Sequence, residues 1–333
     1  MNARAIPVVL VLSSALLAGG VGSGAGAAPV PLRVGLVIGV GPNPGAEANI
    51  HQLFLLDIKR LGVTGRVVYL PPSFVATGPL TTLAREHYDL IVTGCDVDPG
   101  FVAPVAARYP RSRFVMPCFP YKVLGRNVAN VEGFYFRSEE ASYLAGFLAV
   151  RMEIRRGMRH VISSVGGYKI PPVDSFIAGY EAGAKRADPH VKTLHGYARS
   201  FNDPTKCRSV ATAQVAQGAG VVFGVAGACS LGALEAAKAK HAWGIGVDTD
   251  QSALGSYILT SVLKHYDIGL FGAIRALTRG QLRTGGDQIF NLRNGGVGLG
   301  KISPEVPAPL RRELGSIRAQ IVSGAIKVPS TLK

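Results

Sequence analysis

From residue 32 onward, short apolar runs alternate with longer amphipathic stretches almost to the end of the chain. Runs rich in Val, Ile and Phe, bounded by Gly, Pro or Asp, read as strands, and the stretches with apolar residues three and four apart read as helices. The pattern predicts a strand over 32–40 (LRVGLVIGV), a Gly/Pro turn over 41–45, a helix over 47–62 and a strand over 65–70. A helix near 80–88, a strand at 89–94, a helix at 100–110, a strand at 113–118 and the apolar run 132–136 follow. A helix over 138–153 then opens a second series, with Ser138 as the expected N-cap and the small residues Ala145 and Gly146 expected against a sheet. Strands at 160–167, 191–198, 220–226 and 242–247 alternate with helices at 174–186, 207–218 and 231–240. Residues 259–267 read as a further helical stretch, and a Gly-rich tail ends in a helix over 307–324.

Repeated strand–turn–helix units imply the α/β class, with parallel sheets covered by helices on both faces and the turns gathered at the strand C-termini, where ligands bind. The chain of 333 residues exceeds the usual size of a single core. Two doubly wound, Rossmann-like lobes joined by a hinge are therefore expected. Their predicted extents are 32–134 plus 254–278 for the first lobe and 135–253 plus 279–333 for the second. A cleft between such lobes suits a small ligand.

Composition adds little to this picture and removes some alternatives. Hydrophobic residues make up 47% and charged residues 17%, which is globular and not disordered. The net charge of +15 suits an anionic partner, but it reads better as that of a basic exported protein with scattered Lys and Arg, since the longest basic cluster, 151–159, is short. No zinc-finger spacing or aromatic-interleaved RNA motif occurs, so no nucleic-acid partner is expected. Residues 1–28 read as a secretory signal: Arg4 near the start, an apolar run from Ile6 to Ala18, and a small-residue cleavage site at Ala25–Ala27. That run is too short for a transmembrane anchor, and no cysteine near the cleavage point offers a lipid anchor. A secreted or extracytoplasmic, cell-surface-associated protein is expected.

In an exported chain the four cysteines suggest two bridges. Cys95 and Cys118 each follow an apolar strand, and Cys207 and Cys229 are placed similarly around 191–198 and 220–226. If those strands are sheet neighbours, the pairs are Cys95–Cys118 and Cys207–Cys229; four free buried thiols are the alternative. No CxxC or HxxxH spacing supports a metal site, and no metal or other cofactor is expected.

Three turns invite specific chemistry. The first, Gly39–Gly45, resembles a dinucleotide fingerprint but carries Pro44 where the third glycine belongs. The second, Ala228–Gly232, lacks the leading Gly of a nucleophile elbow, and Ser230 reads better as a helix N-cap. No acid–base set accompanies either turn, so the chain reads as a non-enzyme. In the third, Asp248 and Asp250 close a strand. A carboxylate there can accept two sugar hydroxyls or cap the following helix, and capping suits Asp250 better. Lys264 either partners Asp248 at that sugar or lies on a solvated helix face, and Phe201 either stacks on a planar base or joins the core.

Several blocks carry a resemblance when taken in order: 127–149 (NVANVEGFYFRSEEASYLAGFLA), 165–185 (VGGYKIPPVDSFIAGYEAGAK), SFND at 200–203, GVVFGVAG at 220–227, IGVDTDQ at 245–251 and LTSVLKHYD at 259–267. Together they resemble the basic membrane protein family, also called the purine nucleoside receptor family, over about 33–300. The resemblance implies a solute-binding protein of an ABC importer with a type I periplasmic-binding fold, a nucleoside held between the lobes, and a permease partner. A monomer is expected. Carried over by position, Phe201 is the second-lobe stacking aromatic and Gly227 the glycine whose backbone meets the sugar. Asp248 is the ribose carboxylate, and Lys264 its lysine partner.

The first lobe departs from the family pattern. The family's strand-one Asp falls on Gly39, its Phe on Ala48 and the acidic residue after the fourth strand on Cys118, while its Asn is retained as Asn49. Tyr168 and Phe119 are candidate replacements for the lost aromatic. The expected function is thus an extracytoplasmic receptor for a nucleoside or nucleoside-like solute. The alternative is a secreted scaffold of the same fold that has lost nucleoside binding and serves another ligand or a protein or surface contact.

Overall fold

The structure, a computed structural model, describes residues 31–39, 46–70, 73, 75–157 and 160–332. The expected signal at 1–28 and most of the first Gly/Pro turn lie outside the described residues. From Leu32 onward the chain forms one compact unit built on two six-stranded sheets.

The first sheet holds β1 (Arg33–Ile38), β2 (Thr64–Tyr69), β3 (Leu90–Thr93), β4 (Arg113–Met116), β5 (Val131–Phe136) and β11 (Gly286–Phe290). Their order is β11-β5-β4-β3-β1-β2, and every pairing is parallel. The second sheet holds β6 (Val161–Gly166), β7 (Lys192–Tyr197), β8 (Val221–Val225), β9 (Trp243–Asp248), β10 (Ile258–Lys264) and β12 (Val297–Leu299). It runs β12-β10-β9-β8-β6-β7 and is parallel except for β12, which pairs antiparallel to β10. The inner strands β3, β6 and β8 are buried at every position, as strands covered on both faces must be. The first lobe carries α1 (Ala46–Leu61), α2 (Thr77–Arg85), α3 (Pro99–Arg108) and α8 (Tyr266–Thr278), which packs on α1. The second carries α4 (Ser138–Arg155), α5 (Pro171–Ala187), α6 (Pro204–Ala216), α7 (Ser230–Ala239) and α9 (Ala308–Ser323).

The returning segments differ from the sequence expectation. Residues 254–278 do not stay together: β10 joins the second sheet beside β9, and only α8 belongs with the first lobe. Conversely, β11, from the stretch expected in the second lobe, closes the edge of the first sheet against β5. The chain therefore passes between lobes three times, after β5, after β10 and after β11. Within the stretch 259–267 only Tyr266 and Asp267, which open α8, are helical, since β10 runs to Lys264 and is buried over its first five positions. Full burial removes the polar–apolar alternation that would mark it as a strand.

Three local expectations are also corrected. Ser138 already lies inside α4, and Arg137 occupies the cap position, where its side chain pairs with Glu139 and Glu140. Ser230 is likewise inside α7, and its hydroxyl donates to the Gly227 carbonyl three residues back. At Gly146 α4 meets a helix, while elsewhere it packs on β10 and β12: a Cβ on Gly146 would strike the Tyr180 carbonyl, and one on Gly183 of α5 would strike the Tyr143 carbonyl. Glycines on both helices let the two backbones approach, which is why α4 and α5 form the most extensive helix pair.

Candidate ligand-binding cleft

A cavity of about 330 Å³ lies between the lobes and takes residues from both sheets. Its size is within the range of small-molecule sites. Four of its contributors sit at or just past a strand C-terminus, Asp96 after β3, Gly227 after β8, Asp248 at the end of β9 and Lys264 at the end of β10, and Asn202 and Tyr266 add further polar groups from the loop before α6 and the start of α8. The parallel topology alone brings the first four to one edge.

On the second-lobe side, the β9–β10 register sets Leu263 opposite Asp248, so Lys264 projects just beyond the carboxylate. The Lys264 ammonium lies 3.6 Å from Asp248 Oδ1, and the two side chains are only 14% and 16% exposed. Among the described residues no group donates a hydrogen bond to that oxygen. Asp248 holds φ at +64°, a left-handed conformation that is costly for a residue with a Cβ and that concentrates at functional sites. The same ammonium stands 4.8 Å from the Phe176 ring and 5.9 Å from Phe136, so it is seated between an aromatic of each lobe.

Phe201 lies in the loop between β7 and α6, with Gly167 and Tyr168 beneath its ring; the Tyr168 centroid is 5.3 Å away. Its carbonyl accepts from the Cys229 amide at 3.0 Å, and Gly227 turns at φ +54° against it. Asp203 then caps α6 through the Thr205 amide at 3.0 Å. The Cys207–Cys229 disulfide fastens α6 to the Gly227–Cys229 turn, with Cα atoms 5.6 Å apart. A neighbouring cavity of about 270 Å³, lined only by second-lobe residues, shares the Gly227 and Asp248 walls.

The first-lobe wall contains the Cys95–Cys118 disulfide, Asp96 and Phe119. The Cys118 sulfur lies 3.9 Å from the Tyr266 hydroxyl at the start of α8. Asp96 Oδ2 accepts from the Gly39 amide at 2.6 Å, while Oδ1 is buried and has no hydrogen-bond donor among the described residues. Burial pushes its carboxyl pKa up, and the Gly39 hydrogen bond opposes this.

Four of the sequence candidates, Phe201, Gly227, Asp248 and Lys264, thus line one cavity. Asn49 does not line it; it sits half-buried in the first turn of α1. Of the two candidate aromatic replacements, Phe119 lines the cavity and Tyr168 supports Phe201 from behind. Asp96 was not singled out from the sequence, although its place directly after the apolar run 89–94 is the signal that could have found it. Among the described residues no cluster of three or more His, Cys, Asp or Glu could hold a metal, and no helix is long and apolar enough to cross a membrane.

Two α/β lobes with a partly polar, partly aromatic cavity at their facing strand ends define the type I periplasmic-binding architecture. Residues 76–331 match the family described as Bmp, ABC transporter substrate-binding protein PnrA-like, and the chain belongs to that family. It is 34% identical over 209 residues to "Basic membrane protein A" of Borreliella afzelii, covering 60% of this chain and 62% of that protein. It is 30% identical over 243 residues to the "ABC transporter nucleoside-binding protein BmpA" of Lactococcus lactis, covering 68% of this chain and 66% of the relative. The chain thus spans about three fifths of the length of the Borreliella relative. An ABC transporter solute-binding protein from Aeropyrum pernix shares the fold, with a TM-score of 0.78 at 24% identity over 91% of this chain and 94% of that one.

Proposed function

We propose that this protein is an exported receptor that closes its two lobes on a nucleoside or nucleoside-like solute and hands it to an ABC importer. The observation that carries this reading is the Asp248–Lys264 pair, held at the strand ends inside the interlobe cavity. Asp248 accepts two vicinal hydroxyls of a sugar while Lys264 donates to the same ring and offsets the carboxylate charge. Gly227 brings backbone close to the sugar, because any side chain there would be strained at its positive φ. Phe201 stacks on the base from the second lobe and Phe119 faces it from the first. The nucleoside-binding name of the Lactococcus relative supports the ligand class. Asn49, the retained family position, acts on the ligand only if lobe closure brings α1 toward the cavity. Export rests on the N-terminal signal and the two disulfides, which persist in oxidising compartments.

Titration calorimetry and thermal-shift measurements with nucleosides, free bases and pentoses test the reading. A ligand at a hundred times its Kd stabilises the folded state by about 2.7 kcal/mol. A nucleoside is expected to shift the melting transition, and Asp248→Ala and Lys264→Met to abolish the shift. No response to any nucleoside would exclude this function.

One observation favours a second reading, in which the fold is a scaffold that has lost nucleoside binding: the Cys95–Cys118 disulfide forms part of the cavity wall near where the family carries an acidic residue. A transition insensitive to nucleosides, with Asp248 and Lys264 variants indistinguishable from wild type, is what that reading expects.

A further inference from the structure

The first-lobe wall holds one charged group that the family resemblance does not account for. Asp96 stands directly after Cys95 at the C-terminal edge of β3 and lines the cavity. Its two oxygens are unequal: the Gly39 amide occupies Oδ2, whereas Oδ1 is buried and has no hydrogen-bond donor among the described residues. Gly94 leaves room for this arrangement, since a Cβ there would come within 2.5 Å of Oδ1. The donor to Oδ2 is the amide of Gly39, directly after β1. The disulfide fixes the turn that carries Asp96, because Cys95 is tied to Cys118 beyond β4.

A buried carboxylate oxygen with no donor leaves a strong interaction unmade, and an ionised carboxylate only accepts. The group that fits it is an N–H donor supplied by the ligand. The opposite wall, with Asp248 and Lys264, suits hydroxyls. We infer that Asp96 is the first-lobe specificity residue, reading the base edge of a nucleoside that carries N–H donors, as guanine and adenine do and unsubstituted purine does not. The inference rests on the nucleoside reading of the same cleft and supplies the base contact that Gly39 and Cys118 no longer make.

The test measures guanosine, adenosine and purine riboside binding to the full chain by calorimetry, for wild type, Asp96→Asn and Lys264→Met. Asp96→Asn keeps the shape and the Gly39 contact but turns the free acceptor into a donor. Wild type is expected to prefer guanosine or adenosine over purine riboside by about tenfold to a hundredfold, the worth of one hydrogen bond to a charged group. Asp96→Asn should erase the preference with little effect on purine riboside, and Lys264→Met should weaken all ligands while keeping it. A preference unchanged in Asp96→Asn, with Lys264→Met still impaired, overturns the role of Asp96 and leaves the nucleoside reading standing. Failure of all three ligands to bind wild type overturns both. If Asp96→Asn does not fold, equal wild-type affinities for the three ligands overturn the inference alone.

Discussion

Replacing Glu153 by Gln should make the protein more stable above neutral pH and leave it unchanged in acid. Glu153 lies in the last turns of α4, is fully buried, and neither carboxylate oxygen finds a hydrogen-bond donor among the described residues. It fits only because Gly220 has no side chain, since a Cβ there would collide with the carboxylate. Burial raises its pKa from 4.5 to about 7, and attraction from Arg156 and His160 only partly opposes this. The unfolded chain ionises near the ordinary value, so below pH 4.5 both states hold the proton and no penalty exists. As pH rises from there to about 7, the unfolded state loses its proton first and the folded state is progressively disfavoured. At about 1.4 kcal/mol per tenfold in proton affinity, the full cost above pH 7 is about 3 kcal/mol. With the usual unfolding entropy for some 300 residues, that is a shift of about 5 °C in Tm. Glu132 is also raised, to about 7, chiefly by burial with Asp287 adding to it, and Asp57 to about 6, chiefly by burial, so wild type carries further contributions and the variant should lose only part of the slope, about a third. The assay is calorimetric or circular-dichroism melting of both proteins between pH 4 and pH 8.5. Parallel Tm profiles would refute the argument, because they would mean that Glu153 ionises alike in the folded and unfolded chains. Glu153 neighbours the start of β8, at the sheet end remote from the cleft, so ligand affinity should not change.

Three further outcomes are expected. Gly183→Ala should destabilise the protein by about 1–3 kcal/mol in denaturant titrations, because the new methyl meets the Tyr143 carbonyl and the α4–α5 pair must separate. The double substitution Cys207→Ala, Cys229→Ala opens a loop of 22 residues and should cost about 3 kcal/mol in the same assay, with the Phe201 loop gaining hydrogen exchange first. Asp248→Gly should relieve the left-handed strain and match or exceed wild-type stability while losing affinity for pentose-bearing ligands by calorimetry, whereas Asp248→Ala should lose affinity and keep the strain.

Much of the architecture was legible because the strand–helix alternation is local and strongly periodic from β1 to β9. What was not legible depends on distant partners. β11 pairs with β5 across more than 150 residues, Gly286 against Glu132, and nothing in a Gly-rich tail announces that partner. β10 was mistaken for helix because it is buried over its first five positions, which hides its period. The second-lobe half of the cleft was legible because strand ends place Asp248 and Lys264 on one edge whatever their separation in sequence. On the first-lobe side, attention to positions that had lost their usual residues, Gly39, Ala48 and Cys118, drew the reading away from Asp96, whose carboxylate reaches back to Gly39.

Lys264 is the final residue of β10, and only His265 separates it from Tyr266, where the chain enters the helix packed on the other lobe. The cation proposed to face the solute thus lies at the crossing between the lobes. A pull on its side chain acts on the backbone crossing within two residues, and a rotation at the crossing re-aims the ammonium in turn. On that reading occupancy and lobe angle are coupled at this point, so a substitution at 265, which does not line the cavity, that stiffens the joint would alter how tightly a solute is held without touching it.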